Sequence, residues 1–165
     1  MSETRTYIER FRELRGDVLK TLDGVGAAGL NWKPTRKDTN SLFVLATHLI
    51  GSERGWIHQV VGQRAVERDR NAEFRARGPS AEGLREAFDA VARTSDEILS
   101  ALTPAELDVE RTGNYGPHSV RWCILHMIEH YSEHSGQMSL TRQLWEEEQK
   151  RKAKSGKRKT VKGKK

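Results

Sequence analysis

Apolar residues recur every three or four positions in four separate stretches of this 165-residue chain, and no other feature constrains the fold as strongly. Tyr7, Phe11, Leu14, Val18 and Leu22 form the first stripe. Leu42, Leu45, Leu49, Trp56 and Val60 form the second, and Leu84, Phe88, Val91, Ile98 and Leu99 the third. Ile124, Met127, Ile128, Tyr131 and Met138 form the fourth. Each reads as the buried face of an amphipathic helix, over 2–23, 41–61, 81–102 and 120–148. Asn40 or Thr39, Ser80 and Ser119 are the expected N-caps of the last three. Strand-like alternation is sustained nowhere, so the expected fold class is all-α, a four-helix bundle with long connections.

The connections differ in character. The glycines of "DGVGAAGL" end the first helix, and "NWKPTRKDTN" is a loop in which Pro34 disfavours helix at Lys33. "GQRAVERDRNAEFRARGPS" is charged and nearly free of aliphatics, and reads as a mobile connection. "TPAE", from Thr103 to Glu106, is a capping-box pattern that starts a short helical turn. "VERTGNYGPHS" reads as a turn-rich loop.

A net charge of +6 conceals an uneven distribution. From Lys150 onward the chain carries eight Lys and two Arg with no acid, leaving 19 basic against 23 acidic residues before it. The expected organisation is a mildly acidic bundle over 1–149 and a disordered, solvated Lys/Arg-rich tail over 150–165. Charge alone would give that tail weak, non-specific attraction to nucleic acid. Cys123 is the lone cysteine, which rules out an internal disulfide and zinc sites of the multi-cysteine type. The first residues are polar, with no signal-like apolar core, and no apolar run is long enough to span a membrane. The default compartment is the cytoplasm.

"HMIEHYSEH" places His126, His130 and His134 at steps of four on the last helix, bordering its apolar face. Histidines at i and i+4 can aim their imidazoles at one point, as a divalent metal requires. His48, at the edge of the second stripe, is the candidate for a third ligand. Three neutral imidazoles would leave a coordination position open, the pattern of a catalytic metal. The competing reading is that these are satisfied, partly buried core histidines. His58 and His118 lack such company and read as surface or capping residues.

Taken together, "NWKPTRKDTNSLFVLATHLIGSERGWI", "TPAEL" and "SVRWCILHMIEHYSEHSGQMSLTRQ" resemble, in order and spacing, the DinB superfamily of metal-binding four-helix bundles. The resemblance spans about 7–145 and has no counterpart for the basic tail. It implies His48, His130 and His134 as metal ligands, with His126 lining the cavity or supporting the ligands. It also implies that Gln137 supports the site by hydrogen bonding and that Glu53 orients a ligand histidine. The implied cofactor is a divalent metal, zinc or nickel first, with iron or manganese as alternatives. The implied activity is transfer of a low-molecular-weight thiol, used as cosubstrate, to a small-molecule substrate, in a homodimer. A metal-dependent hydrolase and a non-catalytic metal-binding stress-response protein are the alternatives.

Overall fold

The structure is a computed structural model that describes residues 2–35, 37–113 and 116–162, with side chains described as far as residue 155. Four helices form the bundle: α1 (Glu3–Leu22), α3 (Leu42–Glu53), α5 (Glu82–Ala101) and α6 (Val120–Lys162). α1 and α3 each pack against both α5 and α6, so the four apolar stripes face one another. The core is built from those stripes: Phe11, Val18, Leu42, Leu49, Phe88, Leu99, Ile124, Met127 and Tyr131 are all buried. The expected four-helix bundle is the fold.

Local signals explain most boundaries. Ser2 caps α1 by accepting from the Arg5 amide, and the Ser119 hydroxyl accepts from the Trp122 amide at the start of α6. α3 is capped one residue later than expected, by Ser41, whose hydroxyl accepts from the Val44 amide at 3.2 Å. Thr103 and Glu106 make the reciprocal capping box and open a 3-10 turn over Ala105–Asp108. α3 does not run uniformly to residue 61. Beyond Glu53 it continues as a wider π-helical coil over Arg54–Val61, closed by Gly62 donating to the Ile57 carbonyl at 2.8 Å.

Two connections hold more structure than composition suggested. The stretch expected to be a turn-rich loop is an antiparallel hairpin of β1 (Glu110–Gly113) and β2 (Gly116–Ser119). Four-residue strands are too short for alternation to stand out. The charged connection after α3 contains a single turn, α4 (Arg70–Glu73), capped by Asp69, and Glu73 is buried. A further short turn, α2 (Ala27–Leu30), follows α1.

α6 runs beyond 148 to Lys162. Residues 150–155 prolong it as exposed helix, with Lys152 pairing to Glu148 one turn earlier. The remainder of the stretch expected to be disordered falls on residues whose side chains, and for 163–165 also the backbone, lie outside the described residues. Among the described residues no helix is long and apolar enough to cross a membrane.

Candidate metal centre

α3 and α6 pack side by side, and that contact brings His48 against the histidine stripe. His130 and His134 lie one turn apart on α6. One ring nitrogen from each of His48, His130 and His134 lies within 4.8 Å of the other two. Nε2 of His48 is 3.1 Å from Nε2 of His130, close to the edge of a coordination tetrahedron, roughly 3.3 Å for bonds of ~2.0 Å. His48 is buried; the other two are half-buried. Among the described residues the cluster contains these three imidazoles and no Cys, Asp or Glu.

The far nitrogens of two rings are already engaged. Nδ1 of His48 donates to Oε2 of Glu73 at 2.8 Å, and Nδ1 of His134 donates to Oε1 of Gln137 at 2.8 Å. Both contacts leave Nε2 as the lone-pair nitrogen, the tautomer a metal ligand needs. Burial holds His48 and His130 neutral. His130 is pushed down to about 3 by burial, reinforced by the neighbouring His134 and His48, and burial likewise lowers His48 against the pull of Glu73. Burial opposes the charge on Glu73, but hydrogen bonds from Arg68 and His48 outweigh it and keep this carboxyl below its usual range. Three imidazoles with facing nitrogens fit a divalent cation by donor chemistry, and zinc, nickel, iron and manganese all accept such ligands.

The depressed His130 sets a pH dependence for the metal-free protein. An unfolded histidine binds its proton near pH 6.5 and the folded one only near 3, so acid favours the unfolded chain across that window. The thermal midpoint of chelator-treated protein should fall as pH drops from about 6.5 towards 3, and His130→Ala should make that fall shallower. Equal slopes in both proteins would mean that His130 is not held neutral.

His126, one turn before His130, does not join the cluster. It lies in an aromatic wall, parallel to Trp122 at 4.9 Å between ring centroids and edge-on to Trp56 at 4.8 Å. His118 stacks on the other face of Trp122 at 3.8 Å, so it is not a bare surface residue. This wall, with His48, Ser52, Arg68, Arg70 and His130, lines a cavity of about 350 Å³. His48, His130 and His126 therefore border the cavity directly.

The family profile described as Mycothiol-S-transferase matches residues 7–147, nearly the whole bundle. The chain belongs to the mycothiol-S-transferase family. Its fold is shared by a DinB-like protein from Bacillus cereus ATCC 10987, with TM-score 0.68 and 19% identity over 83% of this chain and 89% of that one. A conserved protein from Enterococcus faecalis is similar, with TM-score 0.70 and 16% identity over 87% of this chain and 97% of that one. No curated protein matches the sequence significantly. The likeness to DinB proteins read from the sequence is thus shown.

Two residues of this mycothiol-S-transferase family member, Glu53 and His58, lie away from where they were expected. Glu53 touches none of His48, His130 and His134. It is fully buried on the core side of α3, where its carboxylate pairs with Arg15 and accepts from Ser95 at 2.5 Å and Tyr131 at 2.6 Å. His58, expected at the surface, is buried beside this network and contacts the Ser95 hydroxyl at 3.1 Å. The carboxylate that does hold a histidine is Glu73, which the sequence reading missed because its segment looks like linker. The only available signal was "NAEF": a short capped turn in which Asp69 caps and Phe74 reaches the His48 ring at 4.8 Å. Cys123 is buried, and burial pushes its thiol up to about 11, so it is no nucleophile.

Proposed function

We propose that this chain is a metal-dependent S-transferase that uses a low-molecular-weight thiol of the mycothiol type, with His48, His130 and His134 as the metal ligands. The observation that carries this reading is the convergence of three imidazole nitrogens beside a cavity of about 350 Å³, which two of the rings, His48 and His130, line. A bound divalent metal would supply a site where a thiol sulfur is held as the thiolate at neutral pH.

The chain's own side chains support that chemistry. His48 and His134 each present Nδ1 to an acceptor, Glu73 and Gln137, which in the neutral ring places the lone pair on Nε2, so neither ring must reorient. With three protein donors among the described residues, room remains for the cosubstrate. The indoles of Trp56 and Trp122 form an apolar wall, and Arg70 adds positive charge that favours an anionic sulfur.

Cobalt-loaded protein tests the reading. Titration with mycothiol, bacillithiol, glutathione or cysteine should produce a sulfur-to-cobalt charge-transfer band with at least one thiol, with mycothiol expected to bind tightest. The bound thiol should titrate well below the ~8.5 of a free cysteine-type thiol. Transfer to a haloalkane or an epoxide should follow, and should be lost in His130→Ala. If bound cobalt responds to no thiol, transfer is excluded and activation of water for hydrolysis becomes the leading chemistry.

A further inference from the structure

Two glycines, Gly51 on α3 and Gly55 on its π-helical continuation, mark where something must come close. Gly51 and Gly55 lie one turn apart, on either side of Ser52. A Cβ on Gly51 would overlap the Glu73 carboxylate, and one on Gly55 would sit 3.0 Å from Nη1 of Arg68. The two glycines therefore form a notch in the helix, and the Arg68–Glu73 pair occupies it. Arg68 binds Glu73 through Nε at 2.6 Å and Nη2 at 2.9 Å, and the same Nη2 donates to the Ser52 hydroxyl at 3.1 Å. The pair is thus tied to α3 at a point one turn from His48. From there the second carboxylate oxygen of Glu73 reaches Nδ1 of His48.

We infer that Glu73 is a positioning residue for the metal centre, delivered through the Gly51–Gly55 notch and held by Arg68, and that it fixes the tautomer and ring orientation of His48. This rests on the metal-binding reading above, but its first consequence belongs to the chain alone. A carboxylate accepting from Nδ1–H stabilises the tautomer whose lone pair is on Nε2, the atom that faces His130. Without Glu73 nothing would hold Nδ1 of His48 as the donor, and the ring could exchange tautomers and turn among Ser52, 3.4 Å from Nε2, and the rings of Phe74, His130 and His134. The rest of the connection is exposed and charged, so its composition follows from where it must end rather than from a core of its own.

The notch supplies the test. The atom that a Gly51 methyl would meet is the far end of the Glu73 side chain and not backbone, so Gly51→Ala should fold with its carboxylate displaced. Zinc affinity of the full chain should fall about 10–100-fold in Glu73→Ala, the range for removal of a group that orients a ligand histidine. Gly51→Ala should fall similarly. In a Glu73→Ala background, Gly51→Ala should cost less than about twofold, because its partner is gone. Nitrogen-15 spectra of the chelator-treated protein should show His48 protonated at Nδ1 in the wild type and mixed in both single variants. An unchanged His48 tautomer in Glu73→Ala, with zinc affinity within about threefold, overturns the assignment. So does a Gly51→Ala loss that persists undiminished without Glu73. If the wild type binds no zinc, the metal reading fails, and the His48 tautomer still decides the role of Glu73.

Discussion

Replacing any one of His48, His130 or His134 by alanine should weaken zinc binding by more than about 100-fold and leave the bundle folded. The loss exceeds the 10–100-fold typical of an outer partner because a donor bond itself is removed. Folding should survive because His130 and His134 are half-buried at the rim, and the core beside them is complete without them. His126→Ala serves as the contrast. Its ring lies against Trp122 and Trp56 rather than in the cluster, so affinity should change by less than about fivefold. Elemental analysis and competition titration, with circular dichroism as the check on folding, decide the matter. Equal losses at all four histidines would overturn the three-ligand centre, and undiminished zinc in His48→Ala would remove α3 from it.

The bundle and the histidine cluster were legible in the sequence for one reason: both obey the helical period. The apolar stripes repeat every three or four residues, and so do His130 and His134, so periodicity alone put them on adjoining parts of one helix. His48 was legible because it borders such a stripe. Gln137 fell within the same pattern, one turn from His134. What period cannot show is which side of a helix meets a loop. Glu53 was visible as an acid near the site, but it is five residues beyond His48 and rotates to the core side, towards Arg15 of α1. Glu73 is 25 positions from His48 and reaches it only through the tertiary path of the connection. The hairpin between the 3-10 turn and α6 was missed because each strand is too short to display a period.

Glu53→Ala should lower stability by about 3–5 kcal/mol, since it strands the Arg15 guanidinium in the core. Asp96 is the other acid beside that guanidinium, 3.7 Å from its Nη1, and cannot replace the lost partner where it stands. The Ser95 and Tyr131 hydroxyls lose their acceptor as well, which adds to the cost. For a chain of this size the thermal midpoint should fall by about 10 °C or more. Adding Arg15→Met should recover part of the loss, because no unpaired charge is then left inside. Zinc affinity of Glu53→Ala, measured below its midpoint, should remain within a few-fold of wild type. A midpoint unchanged by Glu53→Ala would mean that the buried network carries no stability, and a large loss of zinc would return Glu53 to the metal centre.

The segment between α3 and α5 looks, by composition, like the natural place to splice in a tag or a second domain, since exposed polar connections usually accept insertions. Its architecture divides it instead into two unequal parts. Residues 68–73 are in effect clamped at both ends, at the α3 notch and at His48, and an added residue there would carry Glu73 out of reach of the ring. Downstream, beyond the Asn31 side chain that grips the Gly78 backbone, no such clamp holds the exposed residues before α5. A graft at Pro79 or Ser80 leaves the site's spacing intact, whereas the same graft six residues after Arg64 does not. For this scaffold, chain length between Arg68 and Glu73 is part of the site.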